Sequence, residues 1–315
     1  MSMRIQTKEL RIKKTVNMKK LFFIIISKII QKKSIFFLLT FSVVAVTSHA
    51  QVFYGQLINK DNEQAIPYAN IGIIGKNTGT VSDVSGNFRI ELNSVYDRDT
   101  LCISCIGYEQ KTFLVADLKN DLKIIEQNTI KLSPKTYQLA EITIKPLNAK
   151  TYILGNYCDP NSAYGNAFYS ENFGTEIGVL MKPPRKRNKV YLKSFRFYVG
   201  EFTFNKFPVR LNVYNLKNGL PYENILKDPI FLEISSKGEY MIDLKKYNII
   251  VNGDFFVSLE YYKIPDISQG KLIFCAVHHR KKDNGKSYYR LSSHGEWMAE
   301  LYDNIGFSIE ASCEE

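Results

Sequence analysis

The sequence has few of the residues from which catalytic and metal sites are usually built. Its 315 residues include four histidines, five cysteines and one tryptophan. The metalloprotease pattern HExxH is absent, and so are the nucleophile pattern GxSxG and a glycine-rich phosphate loop. These absences argue against zinc peptidases, serine hydrolases and nucleotide-binding enzymes. We therefore predict no catalytic residues, no cofactor and no metal site.

The remaining chemical candidates are weak. A pair of carboxylates can catalyse glycoside hydrolysis only at a defined distance from each other, and the sequence does not give this distance. The candidates are Glu260, Glu296, Glu300 and Glu310. His278 and His279 are adjacent, so on a regular strand they point to opposite faces and cannot share a metal. We interpret these residues as structural or surface groups.

Most of the excess positive charge lies at the start of the chain. Residues 1–50 hold ten of the 42 basic residues and one of the 31 acidic residues, which leaves a net charge of about +2 on the remainder. Nucleic-acid binding requires a basic face on the folded part of the protein, and this balance gives no support for one. We expect no nucleic-acid partner.

The basic start has the order of a secretory signal peptide. Lys32 and Lys33 precede the apolar run 35–46, and small residues end the segment at Ala50. We predict that residues 1–50 are removed and that the protein is exported, to the periplasm, the outer membrane or the cell surface. An uncleaved anchor and a true start at Met18 stay open as alternatives. Any other membrane contact would come through a partner, since no later run is long enough to span a bilayer.

Export permits disulfides, and the cysteine count is odd. Cys102 and Cys105 have CxxC spacing, but they lie in a strand-like run that separates them by roughly 10 Å and directs their side chains to opposite faces. We therefore expect no bridge between them. One bridge among Cys158, Cys275 and Cys313 is possible, and the sequence does not choose the pair.

Long amphipathic helices are absent, and short alternating runs broken by Gly, Asn, Asp and Pro predict an all-β protein. Residues 115–122 allow one or two helical turns. In residues 51–145 we predict a seven-stranded sandwich, with a turn at 76–79 and strands at 52–58, 69–73, 87–92, 101–106, 111–115, 128–132 and 141–144.

The same segment resembles the carboxypeptidase regulatory-like domain, a transthyretin-type β-sandwich. The resemblance rests on Gly55, the runs Ile66–Ile71, Gly79–Asp83, Gly86–Phe88 and Cys105–Tyr108, and the exit segment Leu139–Ile144. It implies structural roles for the turn-motif residues Gly79, Asp83, Gly86, Phe88, Gly107 and Tyr108. It implies no catalytic residues.

Residues 146–150 read as a linker, and 151–315 as a second sandwich with a jelly-roll-like arrangement of about eight strands. Its strands are predicted around 195–199, 209–213, 240–244, 255–261, 272–277 and 305–311, and NG turns begin at Asn218, Asn252 and Asn284. This block holds 28 of the 41 aromatic residues. Either they pack in the core or some form a ligand face. The candidates for that face are Tyr198, Tyr214, Tyr262, Tyr288, Tyr289 and Trp297.

These observations lead to two expectations about function. The first is an exported, non-catalytic envelope protein of a Gram-negative cell, a structural protein or adaptor that docks a protein partner. The alternative is a carbohydrate-binding module of a polysaccharide-capture system.

Overall fold

The computed structural model describes residues 51–120, 128–136, 150–158, 167–168, 173–184, 189–263, 270–278, 285–300 and 303–313. Residues Ala50–Glu315 make one compact unit. Within the described residues are two large hydrophobic cores, one built from residues 53–132 and the other from residues 154–313, and a small third cluster of Leu180, Tyr214 and Phe256. The predicted leader and the predicted linker segment 146–149 lie outside the described residues.

The first core lies between two sheets made of seven strands. Their order is β4–β1–β7 in one sheet and β3–β2–β5–β6 in the other. The bounds are β1 Gln51–Asn59, β2 Asn70–Ile73, β3 Gly79–Val81, β4 Asn87–Leu92, β5 Thr100–Ser104, β6 Lys111–Leu114 and β7 Thr129–Leu132. A 3₁₀ turn, Ser94–Tyr96, follows β4, and helix α1, Val115–Asn120, follows β6.

Alternation predicted most of this sandwich. Strand β4 alternates exposed and buried residues, with Phe88, Ile90 and Leu92 in the core. The helical turn predicted after residue 115 is present as α1. Strand β3 was not predicted, because three residues are too few to show a period of two. The strand predicted at 141–144 lies outside the described residues.

The second core lies within a β-sandwich. Its strands are β8 Lys150–Gly155, β9 Ala167–Phe168, β10 Glu176–Met181, β11 Val190–Phe202, β12 Phe207–Lys217, β13 Leu220–Asn224, β14 Ile230–Ile234, β15 Gly238–Asp243, β16 Ile250–Val251, β17 Phe255–Tyr261, β18 Leu272–Phe274, β19 Ala276–His278, β20 Ser287–Arg290, β21 Met298–Ala299, β22 Asp303–Ile305 and β23 Ser308–Cys313. A 3₁₀ turn, Lys245–Tyr247, follows β15.

Two large sheets enclose this core. One has the order β13–β12–β17–β10–β20–β21, with β14 also paired to β12. The other has the order β8–β23–β11–β18–β9, with β15 and β16 also paired to β11. Strands β19 and β22 form a separate two-stranded sheet.

The structure has more strands here than the eight or so predicted from the sequence. Strand β10 was missed because all six of its residues are buried, which removes the alternating signal. The predicted strands at 272–277 and 305–311 are each divided in two, at Cys275 and at the pair Gly306 and Phe307. The NG turn at Asn218 is confirmed, with Asn218 and Gly219 both at positive φ between β12 and β13.

Cys158 and Cys275 form the disulfide. Their Cα atoms are 6.1 Å apart, and 117 positions separate them in the sequence. The pair is one of those left open by the sequence. Cys102 is buried within β5, Cys105 is half-buried just after the end of that strand, and neither is bridged.

Candidate functional site

A row of four charged side chains crosses one sheet of the second sandwich. The strand register places Arg210 of β12 opposite Glu260 of β17, Glu260 opposite Glu176 of β10, and Glu176 opposite Arg290 of β20. Two carboxylates therefore stand side by side with a guanidinium at each end. All four residues are buried, and both glutamates are 0% exposed.

Arg210 joins this row to the first sandwich. Its Nε and Nη2 donate to Glu260 Oε2 at 3.1 and 2.8 Å. Its Nη1 donates to the backbone oxygen of Tyr68 at 2.6 Å, and Nη2 also donates to Asn70 Oδ1 at 2.9 Å. One guanidinium thus binds a carboxylate of its own sheet and two acceptors near the start of β2. Glu260 Oε1 accepts no hydrogen bond from the described residues.

Arg290 and Glu176 form the other half of the row. Arg290 Nε donates to Glu176 Oε2 at 2.8 Å, and the Tyr214 hydroxyl donates to the same oxygen at 3.2 Å. The Ser258 hydroxyl and the Asn212 amide donate to Oε1 of Glu176. The Asn212 amide also donates to Glu260 Oε2 at 2.7 Å, so it links the two carboxylates.

The electrostatics of the row follow from burial and pairing. Burial by itself would raise the pKa of Glu260, but the neighbouring Arg210 and Arg290 lower it below its usual range. Burial raises the pKa of Tyr214 well above its usual value, and the Glu176 carboxylate adds to that rise. Glu260 is therefore ionised and Tyr214 is neutral at physiological pH. Buried charges of this kind are tolerated only when they are paired and hydrogen-bonded.

The segment Tyr68–Asn70 of the first sandwich binds Arg210 through a backbone oxygen and a side-chain oxygen. Tyr68 has a φ of 58°, a strained value for a residue with a large side chain. Its ring packs against Tyr262 and Phe231 of the second sandwich, with ring centroids 4.8 and 5.5 Å away. The family-like run that contains Tyr68 therefore forms part of the contact between the sandwiches.

A loop of the second sandwich, residues 292–294, lies on strands β2 and β3 of the first. A Cβ atom on Gly72 would be 1.9 Å from the Ser293 backbone oxygen, and one on Gly79 would be 2.6 Å from it. Both positions therefore require glycine if the loop is to approach this closely. The Gly75 amide donates to the His294 backbone oxygen at 2.9 Å, which fixes the end of the loop.

His294 is a second strained residue at this contact, with a φ of 60°. Its Nε2 lies 3.1 Å from the Ser104 hydroxyl, and its ring also hydrogen-bonds the backbone of Asn70. Burial and the nearby Arg290 lower the pKa of His294 to about 3. The imidazole is therefore neutral near pH 7.

A cavity of about 700 Å³ opens beside this contact. Its wall includes Asn70, Ser104, Arg210, Asn212, Tyr214, Arg290 and His294, and further lining comes from Tyr108, Glu109, Gln110, Lys135, Tyr222, Glu223 and Asn224. Both sandwiches therefore contribute to it. The volume falls in the range of small-molecule binding sites, and such sites favour boundaries between domains.

The six predicted ligand-face residues do not form one exposed face. Tyr214 is buried and lines the cavity, whereas Tyr262 is buried against Tyr68. Tyr288 and Trp297 are half-buried and pack on Phe256, at 6.1 and 5.0 Å between ring centroids. Of the two remaining candidates, Tyr289 packs against the second core, and Tyr198 is half-buried on β11.

The predicted turn-motif residues fall into two groups. The first group surrounds Asp83, whose Oδ1 accepts hydrogen bonds from the amides of Ser85 and Asn87. In this turn Gly86 has a φ of 76°, and Phe88 is buried in the core. The second group touches the inter-sandwich region: Gly79 lies under Ser293, and Gly107 and Tyr108 line the cavity.

Sequence reasoning missed the row of charges itself. Glu260 was considered as a catalytic carboxylate, and the structure pairs it with Arg210. Glu310 lies 3.9 Å from Lys193 at the surface of the other sheet, while Glu296 is exposed and Glu300 half-buried. The available signal was the polar series Arg210, Asn212 and Tyr214, which alternates with the apolar Val209, Leu211 and Val213.

The described residues contain no group of three or more His, Cys, Asp and Glu side chains placed to hold a metal ion. Among them there is also no helix with the length and apolarity needed to cross a membrane. His278 ends β19, and His279 lies outside the described residues.

Comparisons of the whole chain with known proteins give little. No curated protein matches the chain. A structure of the infectious bursal disease virus Gx strain aligns over 83% of this chain and 62% of its own, with 7% identity and a TM-score of 0.22. The VP2 subviral particle of that virus aligns over 83% and 63%, with 6% identity and a TM-score of 0.19. This chain thus covers under two thirds of each viral chain, and scores this low carry no argument.

The family comparison is more specific. The model of the CarboxypepD_reg-like domain matches residues 53–144. This range contains the sandwich built by β1–β7 and the segment that receives Arg210. It is a regulatory domain type that is in general non-catalytic. The chain therefore carries a CarboxypepD_reg-like domain at residues 53–144, as the resemblance in its sequence predicted.

Proposed function

We propose that this chain is an exported, non-catalytic protein of the Gram-negative cell envelope that works as an adaptor. Its two sandwiches act as one rigid body that docks a protein partner. The observation that carries this proposal is the buried contact through Arg210, which binds Glu260, Tyr68 and Asn70 at once.

Rigidity follows from the chemistry of that contact. Interfaces between domains of one chain usually permit relative motion unless they are large and apolar. Here, any sliding of the sandwiches would strip Arg210 of its acceptors in the first sandwich and leave a buried guanidinium incompletely bonded. The close approach of Ser293 to Gly72 adds a steric constraint. A body held in this way suits a scaffold or adaptor better than a hinge.

The docking surface that we propose is strand β13 at the edge of its sheet. An edge strand presents unpaired backbone groups to which another chain can bind. Leu220 and Tyr222 of this strand are 40% and 61% exposed, and Tyr is enriched in protein interfaces. The strand also borders the cavity, so a partner would contact the junction of both sandwiches.

Export is supported by the leader pattern and by the Cys158–Cys275 pair. Disulfides persist in the periplasm and outside the cell and are rare in the cytosol. The leader itself lies outside the described residues, so the pair is the structural observation that favours this location.

The experiment is site-specific photo-crosslinking in cells that produce the full chain. A photoreactive amino acid replaces Tyr222 in one variant and Met241, which is 63% exposed on the other sheet, in the control. We expect a discrete crosslinked protein from position 222, absent from position 241 and competed by excess unmodified protein. Equal crosslinking at the two positions, or none at position 222, would reject β13 as the docking surface.

A further inference from the structure

We propose that the cavity between the sandwiches binds an uncharged saccharide. This goes beyond the adaptor function and does not depend on it. The inference rests on three features of the wall: its balanced charge, its fixed polar groups and its tyrosines.

The charges of the wall disfavour an anionic ligand. Arg210 and Arg290 are neutralised by Glu260 and Glu176 behind them, and Lys135 pairs with Glu223 at 2.9 Å. His294 is neutral because its pKa is lowered to about 3. Glu109 then adds a carboxylate to the lining. A phosphate or an acidic sugar would gain no uncompensated positive charge here, whereas a neutral ligand meets no such penalty.

The wall offers polar groups in fixed positions. Asn70 Oδ1 is held by Arg210, and its amide nitrogen donates to no described residue. Arg290 donates to Glu176 and Tyr214 through Nε and Nη2, which leaves Nη1 for a ligand. Asn224 uses one amide hydrogen on Asn212 and keeps the other. Hydroxyl groups can both accept from such donors and donate to acceptors.

The second part of the recognition is aromatic. Tyr214 stands in the wall, Tyr108 is half-buried in the lining, and Tyr222 is 61% exposed. Lys217 Nζ lies 4.6 Å from the centre of the Tyr222 ring and supports one face of it. Rigid aromatic surfaces beside fixed polar groups match the mixed apolar and hydroxyl surface of a sugar ring.

Trp297 provides a direct readout. It is the only tryptophan of the chain, and its ring lies 4.8 Å from the guanidinium carbon of Arg290. Tyr214 lies 6.1 Å away between ring centroids. A ligand that engages Arg290 or Tyr214 will therefore change the fluorescence of a single, identified residue.

The experiment titrates the purified protein with neutral trisaccharides of glucose, mannose, xylose and N-acetylglucosamine, and with trigalacturonate and inorganic phosphate as anionic probes. We expect a saturable change in Trp297 fluorescence with at least one neutral probe, and a weaker response to both anions. Absence of saturation with all four neutral probes, or tighter binding of an anion, would overturn the proposal.

Variants at the surface keep the test independent of folding. Tyr222→Ala should weaken binding of the best neutral probe at least tenfold, and Gln110→Trp, at an exposed lining position, should block it. Because Gln110→Trp adds a second fluorophore, its binding is measured by calorimetry. The matched control is Tyr54→Ala, since Tyr54 is 57% exposed on the first sandwich and outside the lining. Equal binding by all three variants would overturn the assignment.

The saccharide and adaptor proposals fail separately. Loss of the position-222 crosslink with sugar binding intact would reject the protein partner alone. Loss of sugar binding with the crosslink intact would reject the saccharide alone.

Discussion

The two faces of strand β12 are both buried, yet they are stabilised in different ways. Val209, Leu211 and Val213 point into the second core, where removal from water stabilises them directly. Arg210, Asn212 and Tyr214 alternate with them and are also buried, Arg210 against the first sandwich and all three at the wall of the cavity. Polar residues in such a place stabilise only when each is bonded. The comparison teaches that alternation identifies two faces of a strand but does not tell which of them meets water.

The largest effect is expected from breaking the polar face. Arg210→Ala leaves Glu260 as an unpaired buried carboxylate and should lower the free energy of unfolding by about 3–5 kcal/mol. Chemical denaturation measures the loss. The control is Arg196→Ala. It removes the half-exposed ion pair between Arg196 and Glu239, whose atoms are 3.4 Å apart, and should lower the free energy of unfolding by about 1 kcal/mol or less. Equal losses in the two variants would contradict the buried role of Arg210.

A smaller loss is expected where the loop lies on the first sandwich. Gly72→Ala places a Cβ atom against the Ser293 backbone and should destabilise the protein by about 1–3 kcal/mol. Gly200→Ala is the matched control, since the nearest atom to its Cβ is 3.8 Å away. Thermal unfolding of the two variants compares them. A Gly72→Ala protein as stable as Gly200→Ala would show that the loop does not need this approach.

Acid should weaken the polar face selectively. The folded pKa of His294 is about 3, below the value of about 6.5 expected in an unfolded chain. The unfolded state therefore binds more protons between these values, so the stability that His294 contributes is complete above about pH 6.5 and is lost as the pH falls toward 3. The lowered pKa of Glu260 acts in the same direction, at lower pH.

His294→Asn tests this pH dependence, because Asn tolerates positive φ and does not titrate. Between pH 7 and 4.5 the variant should lose about 2–3 kcal/mol less stability than the unmodified protein, because about two pH units of this range lie between the two pKa values of His294 and each is worth about 1.4 kcal/mol. Denaturation at the two pH values gives the difference. Equal losses of stability in the two proteins would contradict a lowered pKa of His294 in the folded state.

The smallest effect is expected from a local turn far from the polar face. Asp83→Ala removes the acceptor for the amides of Ser85 and Asn87 and should cost about 1 kcal/mol. Asp61→Ala, at an exposed position of another turn, serves as the control and should be nearly neutral. If both substitutions cost the same, the Asp83 turn has no special role.

The sequence predicted those features that depend on neighbours in the chain. The alternation of Phe88, Ile90 and Leu92, the turn at Asn218 and the helix that begins at Val115 all follow from local patterns. The choice of Cys275 as the partner of Cys158 depends on a fold that brings distant segments together, and local patterns do not contain it.

The candidate site was less predictable for the same reason. Tyr214 was identified as a candidate, but as a member of an exposed face, whereas it is buried with its hydroxyl on Glu176. The roles of Tyr68 and Asn70 depend on a guanidinium that follows about 140 residues later. Glu260 carries no local sign that it faces Arg210 rather than solvent.

That long separation also sets an order for assembly. The acceptors on the first sandwich leave the ribosome well before Arg210, and Arg290, which pairs with Glu176, is the last of these groups to be synthesised. N-terminal segments generally fold first during synthesis. A chain that stops short of Arg290 would hold a carboxylate beside Glu260 with no counter-charge, so the second sheet would stay open to chaperones and proteases. The row of charges therefore closes only after Arg290 has been synthesised and has paired with Glu176.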